Sequence, residues 1–314
     1  MTHRTVQPVV AAAQPRKRRM SGVLLLDKPA GITSQSAVSK AKRLFAATKA
    51  GHTGTLDPLA TGLLPICFGE ATKFSHLLLD ADKTYAATVR LGVTTTTGDM
   101  EGTVTATAPA AFDRPVLEAV LKRFAGEILQ TPPMYSAVKH AGKPLYKYAR
   151  AGLKLARAPR RVCIRRIEFA DFTRGEMRIL VTCSKGTYIR VLAEDIGREL
   201  GCGACLAALR RTAVGGFNIN ATVKLDALCD MAPDRRDAYL LPVDSLVATL
   251  PRVDLDAGQA QKFASGRTVQ SPCTLGSGLV RIYGPGREYL GIAAIEIPGT
   301  IVPRRLMATA IGTV

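Results

Sequence analysis

The sequence predicts an α+β fold, with a larger domain built on a mostly antiparallel mixed sheet and a small β-rich domain after it. Three observations point there. A chain of 314 residues suits two domains. Strand-like and helix-like segments are mixed without the regular strand–helix–strand rhythm of a parallel sheet. From about Leu250 the chain turns to short strands, including a hairpin from Leu279 to Tyr283, a Gly284-Pro-Gly turn and a return from Arg287 to Ile295. The expected boundaries are a basic tail at 1–20, the larger domain at 21–248 and the β-rich domain at 249–314. Hydrophobic residues make up 47% of the chain, enough to bury a core in each domain.

Residues 1–20 hold five Lys or Arg, two prolines, no acid and no periodicity, so this tail is expected to be disordered. Order is expected from Ser21, where an apolar run from Val23 to Leu26 reads as a short strand closed by a turn at Lys28-Pro29. Thr33 to Phe45 reads as a helix, capped by Thr33 or Ser34, with Val38, Leu44 and Phe45 roughly on one face. A glycine-rich loop follows from Gly51 to Gly62. After it come Leu63 to Gly69 and a short helix through Ala71 to Leu79. Lys83–Leu91 and Gly102–Thr107 alternate as strands do. Arg114–Phe124 is helical, with Pro115 suited to its first turn. Val162–Phe172 and Glu176–Ser184 are two more strands, and Tyr188–Glu199 is a helix stopped by Gly201.

Charge narrows the function. Lys and Arg number 43 against 25 Asp and Glu, a net charge of +18. Such an excess fits a polyanionic partner, foremost nucleic acid. The segment from Thr131 to Arg166 carries ten Lys or Arg, no acid, and three interleaved tyrosines, Tyr135, Tyr146 and Tyr148. Cations for phosphates beside rings for bases are what a bent or single-stranded RNA requires, although a solvated basic loop has the same composition. No apolar run approaches a membrane span. The N-terminus is not expected to be a signal peptide, since the apolar patch Val9–Ala13 precedes the basic cluster Arg16–Arg19. Seven cysteines, an odd number, argue against a disulfide framework and for a reducing cytoplasm. Cys202-Gly-Ala-Cys205 has no second pair and no histidine pair to complete a zinc site, so both are expected to be ordinary buried thiols. A DNA-binding role finds no helix-turn-helix or zinc-finger spacing to support it.

The most unusual local feature is Gly51-His-Thr-Gly-Thr-Leu-Asp-Pro-Leu-Ala-Thr-Gly62. Its three glycines permit tight turns and close approach of a ligand. Asp57 precedes Pro58, which biases it to an extended backbone and lets it present its carboxylate, although an Asp-Pro pair is ordinarily just a turn. The loop lacks the Gly-Lys-Ser/Thr ending of a phosphate-binding P-loop.

This loop, extended through Leu63-Leu-Pro65, resembles the catalytic motif of the TruB family of tRNA pseudouridine synthases. Leu26-Asp-Lys-Pro-Ala-Gly-Ile-Thr-Ser34 resembles the opening motif of the family, Asp82-Lys-Thr-Tyr-Ala86 its second and Cys183-Ser-Lys-Gly-Thr-Tyr-Ile-Arg190 its third. Pro132–Lys139 and Gly142–Arg150 resemble the RNA-clasping insertion of the bacterial branch, here at about 131–161. Leu209–Phe217 matches a further stretch, and the β-rich end resembles the family's small RNA-binding PUA domain.

The resemblance implies isomerisation of one uridine to pseudouridine in the tRNA T loop, at position 55 in tRNA numbering. The target base must be flipped out and held. A carboxylate must act at the sugar or base, and a cation should lie against it. Asp57 takes the carboxylate role, whether by attack on C1′, addition to C6, or promotion of a glycal route. Arg190 is implied as its ion-pair partner, and Tyr85 as the ring that stacks on the flipped base and takes part in proton transfer. His52 would wedge or stack near that base and Tyr188 would pack beside it. Lys28 would be structural or would contact phosphate. Lys143, Lys147 and Arg150 would bind RNA from the insertion. No cofactor, metal, protein partner, membrane or DNA is required, and a cytoplasmic monomer is expected. Two rivals remain: the guide-RNA-dependent branch of the same chemistry, which lacks the long basic insertion, and a non-catalytic RNA-binding protein, which would not need Asp57, Tyr85 and Arg190 together.

Overall fold

The computed structural model describes residues 17–271 and 275–308. The main sheet runs, from edge to edge, through Val223–Lys224, Gly22–Lys28, Thr61–Phe68, Ala204–Val214, Lys83–Leu91, Glu176–Cys183, Arg160–Thr173 and Gly126–Gln130. Two of those neighbouring pairs are parallel, Gly22–Lys28 with Val223–Lys224 and Thr61–Phe68 with Ala204–Val214; the rest are antiparallel. This is the α+β arrangement expected from the sequence.

The strand Gly22–Lys28 is buried on both faces, which is why it reads as an unbroken apolar run. Leu24 and Leu26 join the large core, with Val38, Phe45 and Leu192. Val23 and Leu25 point the other way, into a second cluster with Phe74, Leu246 and Ile292. That second cluster joins the larger domain to the C-terminal one. The helix Ser34–Leu44 is capped by Thr33, whose hydroxyl accepts from Ser36 N at 3.0 Å. Arg114–Arg123 starts with Pro115 in its first turn, as expected.

Four expectations change. The helix expected through Ala71–Leu79 is two pieces, a 3₁₀ turn at Gly69–Lys73 and a short helix at Ser75–Leu79, because Phe74 between them is drawn fully into the second core. Ala204–Val214, to which the sequence reading assigns no element, is the central strand. Its pairing slips at two bulges, between Leu206 and Ala208 and between Arg211 and Ala213, and these break the two-residue alternation that would mark a strand. The glycine-rich loop is shorter than expected, because Ala50–His52 pairs with the strand that begins at Thr61. The expected disorder at 1–20 lies outside the described residues for 1–16. Residues 17–20 are ordered instead: Arg18 exchanges backbone bonds with Ala46 and Thr48 and pairs with Asp237.

The C-terminal part forms its own five-stranded sheet, ordered Arg252–Asp254, Gly278–Tyr283, Tyr289–Ile297, Thr300–Leu306 and Val269–Gln270. The expected hairpin is its centre. The helix Ala257–Ala264 begins with a capping box between Asp256 and Gln259 and closes one side of this core. None of the described helices is long and apolar enough to cross a membrane.

Candidate active site

The opening motif cradles the glycine-rich loop. Ser34, 1% exposed, accepts from Leu56 N at 2.8 Å and donates to Leu56 O at 3.0 Å, so one hydroxyl fixes the residue before Asp57 on both sides. Asp57 and Pro58 occupy the first two positions of a β-turn closed by Ala60 N donating to Asp57 O at 3.1 Å. The Pro58 carbonyl accepts from Gly31 N at 2.9 Å and from the Lys28 ammonium at 3.3 Å. Lys28 is fully buried and also donates to Pro29 O at 2.9 Å and Ile32 O at 2.7 Å.

The Lys28 ammonium thus faces into the fold, with its three protons directed at carbonyls. Burial lowers its pKa to about 8, opposed by the nearby charges of Asp57 and Glu101. Lys28→Met should take a donor from the Pro29, Ile32 and Pro58 carbonyls, of which Pro58 O keeps Gly31 N. The expected loss is roughly 2–4 kcal/mol of stability, at about 1–3 kcal/mol per unsatisfied buried group with partial compensation. Thermal unfolding checks it, and an unchanged melting temperature would contradict it.

The ordered start of the helix Ile189–Glu199 brings Arg190 to this turn, although 133 residues separate the partners. The Arg190 side chain is 5% exposed and its guanidinium binds three chain segments at once. Nε donates to Asp57 Oδ2 at 2.9 Å, Nη1 to Thr97 O at 3.1 Å and Nη2 to Tyr135 O at 2.7 Å. A second carboxylate, buried Asp99, lies 3.6 Å from Nε. Asp99 is held in turn by the Thr97 hydroxyl and by Glu101 N, both donating to its Oδ1. Asp57 itself is about one-third exposed, and its Oδ1 carries no hydrogen bond from any described residue. One oxygen is thus anchored and the other is left open.

Asp57 and Arg190 stand between two cavities. One, of about 260 Å³, is bounded by Tyr85, Tyr188, Lys83 and Leu209. The other, of about 500 Å³, is bounded by His52, Gln35, Asp99, Glu101, Tyr146 and Arg150. The expected trio of Asp57, Tyr85 and Arg190 is therefore brought together, with His52 and Tyr188 on either side. Tyr85 sits on the strand Lys83–Leu91, opposite Arg211, and is buried; burial raises its phenol pKa, and the charge of Arg211 opposes this in part. Tyr188 is likewise raised by burial. His52 is half-buried, and burial together with the charge of Arg211 lowers its pKa, which favours the neutral ring.

Nothing in the sequence singles out Arg211, yet it is the largest fully buried side chain among the described residues. It donates to Gly54 O at 3.1 Å and Leu63 O at 2.8 Å, tying the two ends of the glycine-rich loop to the central strand. Gly62 has φ +101°, and a Cβ there would meet Arg211 O at 2.3 Å, so this crossing admits only glycine. Lys83 caps the helix Ser75–Leu79 through the carbonyls of Leu78, Leu79 and Ala81.

The insertion residues divide. Arg150 borders the larger cavity, 5.5 Å from the Tyr146 ring centre. Lys143 and Lys147 instead border a separate surface hollow with Tyr148 and Leu153. Of the cysteine pair, Cys205 is buried with its thiol 3.6 Å from Met100 Sδ, while Cys202 is only half-buried and donates to Gly203 O.

Similarity to known proteins identifies the family. Residues 42–189 match the model of the TruB family pseudouridylate synthase N-terminal domain. Residues 190–248 match that of the tRNA pseudouridylate synthase B C-terminal domain, and 251–307 that of the pseudouridine synthase II TruB C-terminal region, consistent with a PUA-like end. The first two meet inside the helix that carries Arg190, so that boundary is not a structural one. The chain is 54% identical to a protein named tRNA pseudouridine synthase B from Aromatoleum aromaticum, over 94% of this chain and 95% of that one. It is 53% identical to the protein of that name from Burkholderia mallei, over 93% and 99%. Among solved structures it resembles an archaeal box H/ACA Nop10–Cbf5 complex at TM-score 0.69 and 26% identity, covering 91% of this chain and 85% of that one. A Cbf5–Nop10–Gar1 complex gives 0.70 and 26%, covering 91% and 84%. The motif resemblance, the family models along the length of the chain and the 53–54% identical relatives all lead to one assignment: this chain belongs to the TruB family of pseudouridylate synthases.

Proposed function

We propose that this protein isomerises one uridine in the T arm of tRNA, at position 55 in tRNA numbering, acting as a single chain in the cytoplasm. The observation that carries the reading is the Asp57–Arg190 pair in the wall shared by two cavities, with Tyr85 bordering the smaller one. The flipped uracil enters beside Tyr85, and the open oxygen of Asp57 meets the reacting nucleoside. The C1′–N1 bond breaks, the base turns, and C5 bonds to C1′. The C5 proton leaves, N1 takes one up, and no atom is gained or lost overall. Arg190 holds the carboxylate by one oxygen so that the other keeps its aim.

The guide-dependent rival is weakened by two facts. Relatives named tRNA pseudouridine synthase B match over nearly their whole length at 53–54% identity, while the Cbf5 complexes match at 26%. The insertion also supplies its own basic surface at Lys143, Lys147 and Arg150. The test is incubation with a bare tRNA transcript, no other RNA or protein being present, followed by mapping of pseudouridine. Formation at a single T-loop position supports the proposal. Modification only after a guide RNA is added would support the rival.

Lys143 and Lys147 give a second test. Replacing both by Ala should weaken tRNA binding and lower the slope of log K against log salt by roughly 1.4–1.8, at about 0.7–0.9 per phosphate contact. The single-turnover rate at saturating tRNA should stay within about two-fold, since neither residue borders the Asp57 cavities. A slower rate with unchanged affinity would contradict the assignment of these lysines to RNA binding.

A further inference from the structure

The basic insertion and the catalytic helix share a root. Gln130 ends the strand Gly126–Gln130, immediately before the insertion, and is 2% exposed. Its carboxamide meets one residue twice. Oε1 accepts from Tyr188 N at 3.0 Å and Nε2 donates to Tyr188 O at 3.3 Å. Tyr188 is the cap residue of the helix Ile189–Glu199, and its own side chain makes no cap bond. Gln130 therefore does from across the fold what a capping side chain does locally: it satisfies backbone groups at the start of the helix and fixes their orientation.

Arg190 follows two residues later. Its guanidinium must reach three acceptors on three segments at 2.7–3.1 Å, so a small rotation of the first helical turn would carry Nε away from Asp57. The same short segment returns to the site at Tyr135, whose carbonyl accepts from Arg190 Nη2. Gln130 and Tyr135 thus grip the helix start at the backbone and at the catalytic side chain.

We infer that Gln130 is a positioning residue for the reaction, setting the start of the helix so that Arg190 anchors one oxygen of Asp57 and keeps the open one on target. This rests on the isomerisation proposed above. A buried amide could serve stability alone, so the test must separate rate from binding and folding. Gln130→Met keeps the volume and removes both bonds. Gln130→Glu keeps the acceptor for Tyr188 N and loses the donor to Tyr188 O.

The single-turnover rate at saturating tRNA should fall about 10–100-fold in Gln130→Met, the size expected for an approximately 1 Å misplacement. Gln130→Glu should lie between it and the wild type. The tRNA Kd should stay within about two-fold in both, because Gln130 itself borders neither Asp57 cavity nor the hollow at Lys143 and Lys147. A Gln130→Met rate within two-fold of wild type overturns the inference. So does a rate loss matched by equal loss of affinity in both variants, which would mean general loosening. Should Gln130→Met not fold, Gln130→Glu decides, and a rate within two-fold of wild type overturns the inference. A wild type that forms no pseudouridine refutes the reaction itself and this inference with it, a result distinct from an active wild type with unaffected variants.

Discussion

Asp57→Asn is expected to lower the single-turnover rate of pseudouridine formation by at least about 10⁴-fold, the order found when a group that acts at the reacting atom is removed. The substitution is nearly isosteric, and the loop around it is held by bonds that Asp57 does not make. Ser34 fixes Leu56, and Lys28 and Gly31 hold Pro58. The turn should therefore persist, with tRNA affinity within about three-fold of wild type, since affinity comes chiefly from phosphate contacts elsewhere. Rapid-quench kinetics and filter binding on the same preparations separate the two quantities. A variant that retained one-tenth of the wild-type rate would remove Asp57 from the chemistry.

Arg190 gives the second large effect. Arg190→Lys should cost about 10²–10³ in rate, because an ammonium is a compact point charge. It cannot span Asp57, Thr97 O and Tyr135 O from one position as the planar guanidinium does. Arg190→Met should be slower still and should also unfold earlier. It leaves Asp99, 4% exposed, with its nearby cation gone, at a cost of roughly 3 kcal/mol. In a domain of this size that is about 6–12 °C in melting temperature. The comparison is informative because the lysine retains the charge. Equal rates for Arg190→Lys and wild type would show that charge alone suffices and that the three-segment geometry is incidental.

Much of this site is legible in the sequence because its parts lie in short contiguous motifs. Asp57, Tyr85 and Arg190 each sit in such a motif, and the fold brings all three to one place. What the sequence conceals is what holds them there. In sequence Lys28 fits a structural or a phosphate-contacting role equally, and the three carbonyls that its protons meet are visible only once the chain has folded back on Pro58. Asp99 and Gln130 are ordinary turn and strand-end residues in sequence. Their importance comes from partners 91 and 58 positions away, and no local pattern encodes those contacts.

The fold shows the same division. The hairpin at Leu279–Tyr283 and the helix after Tyr188 follow local rules, so they are read correctly. The central strand Ala204–Val214 is rich in alanine and twice bulged, and tertiary pairing overrides its local pattern. Its Arg211 then becomes the buried tie for the catalytic loop, a use of charge that composition would place at the surface.

The most direct test of the central claim is release of tritium from C5 of uridine in a labelled tRNA transcript incubated with the protein alone. Isomerisation moves the C1′ bond from N1 to C5, so the C5 hydrogen must leave. The account predicts one equivalent of tritium released per tRNA, and none from a transcript whose single T-loop target uridine is replaced by cytidine. Tight binding of both transcripts with no release from either would contradict it, leaving an RNA-binding protein whose Asp57 pocket performs no chemistry on bare tRNA.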